Sequence, residues 1–180
     1  MNSDTRSGVY RLDKNTGSFT LNVPLPAEHG GRVMGFTADG RHLLQANGDD
    51  HTPFTFSIFD WDTDRGALTL HGHSQLVNTF AGAFATADNL IFLQANPQCE
   101  VFRFDPATAS ITDTGQRFPS LTGWQFRMIA DANTHTVIQG LPDNRTAIWK
   151  YDPVSGAVTA APGSPHPAGT VPMLMDVLHR

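Results

Sequence analysis

The sequence predicts an all-β fold of four-stranded antiparallel blades, a β-propeller, and three observations carry that prediction. One eight-residue hairpin motif recurs four times, a second motif recurs between its copies, and no long segment keeps apolar residues at helical spacing.

The hairpin motif reads Asp, three residues, Gly or Ala, one residue, an apolar residue, Thr. Its copies are Asp13/Gly17/Phe19/Thr20, Asp62/Gly66/Leu68/Thr69, Asp105/Ala109/Ile111/Thr112 and Asp152/Gly156/Val158/Thr159. Successive aspartates stand 49, 43 and 47 positions apart, a blade-like period that is too long for most helical solenoids. Each part has a physical reason. The carboxylate accepts hydrogen bonds from the amides of its own turn, Pro106 and Pro153 set φ just after it, and Gly takes the left-handed conformation that starts the return strand.

The second motif was not used to find that period. Thr37-Ala38-Asp39-Gly40 followed by Leu43-Leu44-Gln45-Ala46-Asn47 returns as Thr86-Ala87-Asp88-Asn89 followed by Phe92-Leu93-Gln94-Ala95-Asn96. A looser copy runs from Ala132-Asn133 to Val137-Ile138-Gln139. In all three a turn dipeptide separates two apolar strands, so each full unit holds two hairpins, or four strands. The 16 Gly and 12 Pro spread along the chain agree with an all-β reading.

With strands labelled A to D from axis to rim, residues 1–180 read as a single arc. A partial C-D hairpin at roughly 8–23 precedes fuller units at roughly 32–73, 81–116 and 124–160, and a last A-like strand lies in 171–180. Joining the two partial units still leaves a blade one strand short. Propellers protect strand edges by closing the ring. The preferred expectation is therefore a piece of a longer propeller. If the chain is complete, a homodimer pairing two arcs into a ring of about eight blades meets the same need.

Composition sets outer limits. With 39% hydrophobic residues the chain can bury a core of ordinary size, and 17 acidic against 12 basic residues, scattered along it, offer no basic face to nucleic acid. The lone Cys99 makes no internal disulfide and fits a reducing compartment. The polar start Met1-Asn2-Ser3-Asp4-Thr5-Arg6 leads to the expectation of no signal peptide, and no apolar run reaches membrane-spanning length. The expectation is a soluble chain with no membrane partner, cytoplasmic if complete.

Three stretches carry a family resemblance. Phe36-Thr37-Ala38-Asp39-Gly40-Arg41-His42-Leu43-Leu44, Phe59-Asp60-Trp61-Asp62 through Gly66-Ala67-Leu68-Thr69, and Gly156-Ala157-Val158-Thr159 through Pro162-Gly163-Ser164-Pro165-His166-Pro167-Ala168-Gly169 resemble the lactonase-type seven-bladed propellers. That family includes the bacterial 6-phosphogluconolactonases and YVTN-repeat proteins. The resemblance covers nearly the whole chain as blades, about three short of a family propeller. It implies hydrolysis or formation of lactones at a site on the propeller axis, or a non-catalytic binding surface. The matched motifs are structural and carry over no catalytic residue.

Candidate site residues come from position. Inner strands line the axial channel, and Arg32 and Arg127, with Gln125 and Trp124 beside the latter, fall on inner-strand segments. Such arginines can grip the carboxylate or phosphate of a small acidic lactone or sugar acid bidentately, with a His or carboxylate as general base. Their bland alternative is a salt-bridging or edge role. The alternative function is a non-catalytic propeller module for protein or ligand binding, or a fragment without independent activity.

Other clusters read as structure. In Asp60-x-Asp62-x-Asp64-x-Gly66 the glycine falls one position late for a calcium loop, and His71 replaces the closing Glu, which leaves a polar hairpin end. His71-Gly72-His73 would place two imidazoles on one strand face, too few for zinc, and Asn47-Gly48-Asp49-Asp50-His51 is a solvated turn. No Gly-x-Ser-x-Gly elbow exists, and His29-Gly30-Gly31 is a glycine turn. Cys99, ahead of Val101-Phe102-Arg103-Phe104, is expected as a buried structural thiol. Neither metal nor cofactor is expected.

Overall fold

The computed structural model describes residues 8–24, 33–47, 53–79, 83–95, 98–119, 128–141 and 144–167, with no helix among them. The hairpin β1 (Gly8–Leu12) and β2 (Phe19–Pro24) comes first. Blade 1 follows as β3 (Val33–Phe36), β4 (His42–Asn47), β5 (Pro53–Asp62) and β6 (Ala67–Thr79). Blade 2 is β7 (Phe84–Ala87), β8 (Leu90–Leu93), β9 (Gln98–Asp105) and β10 (Ser110–Pro119). Blade 3 is β11 (Met128–Asp131), β12 (Thr136–Gly140), β13 (Arg145–Tyr151) and β14 (Val158–Ala160), with the short β15 (His166–Pro167) also on β13. Every blade is an antiparallel meander in chain order, as the repeat predicts. The A-like strand expected in 171–180 lies outside the described residues.

The hairpin motif folds for the reasons its residues suggest. Asp13 Oδ1 accepts from the Asn15 amide (2.8 Å), Asp62 Oδ1 from Asp64 and Arg65 (both 3.0 Å), Asp105 Oδ1 from Ala107 (2.9 Å) and Asp152 Oδ1 from Ser155 (2.6 Å). These bonds favour the ionised carboxylate. They hold Asp13 below its ordinary range chiefly through the Asn15 amide, Asp105 chiefly through the Thr108 hydroxyl, and Asp152 chiefly through the Ser155 amide. The fifth residue is left-handed in every copy, including Ala109 at φ 47°, where the strain is offset by burying the methyl in the core.

Register then places the residue before each Asp opposite the motif's apolar residue: Leu12 with Phe19, Trp61 with Leu68, Phe104 with Ile111, Tyr151 with Val158. Strand alternation gives each blade two faces. On β8, Leu90 and Phe92 enter a core shared with Val137, Ala147 and Trp149 of blade 3, while Ile91 and Leu93 enter a second core with Leu44, Phe56 and Ile58 of blade 1. Phe56 meets Phe84 across one boundary (centroids 5.1 Å) and Phe92 meets Tyr151 across the other (4.9 Å). The short first strands β3, β7 and β11 adjoin one another, and Thr86 Oγ1 donates to the Phe36 carbonyl between the first two.

The Pro-Gly-Ser-Pro connection after β14 zips back onto β13. The Ala161 amide donates to the Ile148 carbonyl (2.9 Å), Ser164 Oγ accepts from the Ile148 amide (2.8 Å), and His166–Pro167 then pairs with Arg145 and Thr146. No helix among the described residues is long and apolar enough to cross a membrane.

Two hairpin glycines separate backbone strain from packing. A Cβ at Gly156 (φ +76°) would stand 3.2 Å from Val101 Cγ1 on the neighbouring blade, whereas one at Gly17 (φ +71°) would meet nothing within 4 Å. Gly17→Ala is expected to cost about 1 kcal/mol from the left-handed backbone alone, and Gly156→Ala about 1 kcal/mol more, read from urea midpoints.

Candidate functional site

Arg32, Gln125 and Arg127 lie outside the described residues, as do Trp124, the His29-Gly30-Gly31 turn and Gly48 to His51. In the chain Arg32 directly precedes β3 and Arg127 directly precedes β11, the first strands of blades 1 and 3.

A cleft of about 680 Å³ lies between blades 1 and 2, on the side of the A-B and C-D turns. Blade 1 lines it with Asp39, Arg41, His42, Asp60 and Trp61, and blade 2 with the turn residue Pro106. His42, 8% exposed, sits between two carboxylates, Nδ1 3.5 Å from Asp39 Oδ2 and Nε2 3.4 Å from Asp60 Oδ1. Its ring stands edge-on to Phe104 at 5.0 Å. The second Asp60 oxygen is 3.2 Å from His71 Nδ1. Desolvation works to raise the Asp39 carboxyl, but the Thr37 hydroxyl, the Arg41 amide and His42 together hold it below its ordinary range. The arrangement is a carboxylate-bracketed imidazole beside a half-buried indole, suited to polar or cationic ligands and to proton transfer.

The cleft exists because a latch found at the next boundary is missing here. Between blades 2 and 3, Arg103 Nη2 donates to the Val154 carbonyl (2.6 Å) in the turn of blade 3. The Tyr151 hydroxyl donates to Asp88 Oδ2 (2.7 Å), which His135 Nδ1 also approaches at 3.1 Å. Cross-strand register makes Asp60, Arg103 and Lys150 equivalent, since they face His42, Leu90 and Thr136. The residue before the hairpin Asp is Tyr151 in blade 3 but Phe104 in blade 2. Blade 1 therefore offers a carboxylate where blade 2 offers a guanidinium, and blade 2 offers a bare ring where blade 3 offers a hydroxyl. Neither half of the latch can form.

The remaining sequence candidates resolve locally. Asp62 spends Oδ1 on its own turn and Oδ2 on Arg65 Nη1 (3.3 Å), while Asp60 faces the two histidines, so the Asp60/Asp62/Asp64 run is a polar hairpin end. No group of three or more His, Cys, Asp or Glu among the described residues is placed to hold a metal ion. The expectation that His71 and His73 share a strand face is corrected. The register between β5 and β6 shifts so that Phe59 faces Leu70 and Ile58 faces Gly72, which leaves His71 in a bulge. His71 turns to Asp60, and His73 Nδ1 lies 3.0 Å from Ser57 Oγ on the opposite face of β5. Cys99 is fully buried, with Gln139 Nε2 3.9 Å from its sulfur.

No family model matches the chain, and no curated protein does. Solved structures do. One from Bacteroides uniformis, provisionally described as a 6-phosphogluconolactonase, matches with TM-score 0.68 at 14% identity, over 92% of this chain and 52% of its own. A second so described, from Bacteroides fragilis, gives 0.60 at 15% identity, over 80% and 40%. The periplasmic gluconolactonase of Pseudomonas aeruginosa gives 0.55 at 22% identity, over 83% and 44%. The chain thus has the lactonase-like propeller fold and spans about half the length of the structures it matches.

The latch makes a pH prediction. Burial first, and then the bond to Asp88, raises the Tyr151 phenol above its ordinary value of 10.0. The folded protein then holds that proton more tightly than the unfolded chain, so the contribution is intact below pH 10 and is lost as pH rises above it. Tyr151→Phe is expected to cost about 1 kcal/mol at neutral pH. Above about pH 10 the wild type should lose up to about 1.4 kcal/mol more per pH unit than the variant, in urea unfolding followed across that range.

Proposed function

We propose that this chain is a section of a lactonase-like propeller that binds, and in a complete ring hydrolyses, a small acidic lactone or sugar acid in the axial channel. The observation that carries the reading is the shared fold with three solved structures described as lactonases, over 80–92% of the chain. The chemistry asks for few parts. A cation must hold the carboxylate or phosphate of the sugar acid, and Arg32 and Arg127, with Gln125, supply it beside the first strands of blades 1 and 3. A His or carboxylate takes a proton from water as it adds to the lactone carbonyl, and the ring oxygen leaves with a proton.

A non-catalytic module is the second reading, favoured by the cleft around His42 and Trp61, which supplies a polar and aromatic binding surface.

Binding and hydrolysis of a panel of aldonolactones and their 6-phosphates decides between them. The first reading expects saturable binding of the acidic members, with turnover where the ring is complete, and Arg32→Ala and Arg127→Ala each weakening binding about 10-fold or more. Absence of both binding and turnover, or binding indifferent to both arginines, contradicts it. Saturable binding without turnover, weakened by Trp61→Ala, supports the second.

A further inference from the structure

Among the described residues the chain builds one interface twice, both times from the same positions. In blade 2 the cross-strand trio of residue three before the hairpin Asp, residue one before it and motif apolar residue is Phe102, Phe104 and Ile111, and all three pack in the core against blade 1. In blade 3 the trio is Trp149, Tyr151 and Val158, packed against blade 2. In blade 1, Phe59 is buried and Leu68 lies against it. The β1–β2 hairpin carries the same trio as Tyr10, Leu12 and Phe19, and Leu12 pairs with Phe19 in the same register. There the trio is exposed: Tyr10 47%, Leu12 46%, Phe19 69%.

The opposite end of the arc carries the complementary face. Gly35, Leu44 and Ile58 form a row in register across blade 1, and Ala85, Phe92 and Val101 form the equivalent row across blade 2. Each row meets the blade that follows. A Cβ on Gly35 would touch Phe84 of blade 2 at 3.1 Å, and one on Gly156 of blade 3 would touch Val101 at 3.2 Å. In blade 3 the row is Ile129, Ile138 and Ile148, again in register. Their chain neighbours Met128, Ala130, Val137, Ala147 and Trp149 all point into the core with blade 2, so alternation turns the three isoleucines away from it. They stay partly exposed and join none of the three buried clusters.

We infer that a second copy of this chain docks head to tail on the first, the Leu12/Phe19 face of one covering the Ile129/Ile138/Ile148 face of the other. The occupant follows from continuity with the interfaces already present: a face shaped for one side of a blade is matched by the other side of a blade, and the described residues carry one exposed face of the first kind and one partly exposed face of the second. Such a contact joins unlike surfaces, so unmodified copies stop at a dimer, rather than adding further copies, when two close into a ring, the arrangement that also removes exposed strand edges.

The test is the oligomeric state of the full 180-residue chain by sedimentation at micromolar concentration. A species of twice 19.6 kDa is expected. Phe19→Asp and Ile138→Asp, both at exposed or partly exposed sites, should each weaken association by at least about 100-fold, since a desolvated carboxylate faces apolar surface. Circular dichroism checks that the sheets persist in each. An equimolar mixture of the two variants retains one intact pairing, the Phe19→Asp copy giving its isoleucine face and the Ile138→Asp copy its hairpin face, and should recover one-to-one dimers. A monomeric wild type overturns the inference and assigns both faces to further blades of a longer polypeptide. A dimer indifferent to either substitution, or not restored by mixing, overturns it as well.

Discussion

Leu90, Ile91, Phe92 and Leu93 are all at most 2% exposed, facing blade 3 and blade 1 in turn, and the rest of the molecule follows from that two-sided burial. An antiparallel sheet usually hides one face and wets the other. A blade between two blades has no wet face, so its central strands lose their polar alternation and become continuous apolar runs. The polar residues move to the hairpin ends, where Asp13, Asp62, Asp105 and Asp152 serve the turns. Placing the turns fixes the cross-strand register, and the register fixes which aromatic residue meets the preceding blade.

A cleft forms where that packing is interrupted. The boundary between blades 2 and 3 is sealed at its turn side by Arg103, Tyr151 and Asp88, and the boundary between blades 1 and 2 is left open because Asp60 and Phe104 replace the first two. The apolar cores beneath are continuous at both boundaries, so the exchange alters the surface chemistry without loosening the fold. His42 occupies the space, taking electrostatic contacts from both Asp39 and Asp60. A repeat architecture can host such a site cheaply, since each copy of a repeated position is free to change once the core is secured.

The hairpins and the four-stranded blades were legible in the sequence because their determinants are local: an Asp-led turn, a left-handed fifth residue and a fixed cross-strand partner all lie within eight residues. The facing of His71 and His73 was not, since it depends on a bulge against β5 that no spacing rule reveals. The cleft was equally hidden. Asp60 and Arg103 become comparable only once the strands are paired, and the gap between Asp60 and Pro106 exists only once two blades adjoin. A repeat-by-repeat comparison of the position two before each hairpin Asp, which reads Arg11, Asp60, Arg103 and Lys150, held the one available signal. Arg32 and Arg127 stand directly before β3 and β11 in the chain and, with Gln125, lie outside the described residues.

Blade-against-blade packing as the organising interaction is most directly measured by a double-mutant cycle on Phe56 and Phe84, which meet at 5.1 Å and 84° across the first boundary but lie on different sheets. Equilibrium unfolding of Phe56→Ala, Phe84→Ala and the double variant should show each single change costing about 3 kcal/mol or more, with a coupling of about 1 kcal/mol between them. Single effects that add within about 0.3 kcal/mol would mean the two blades do not share a core, and would contradict the architecture described.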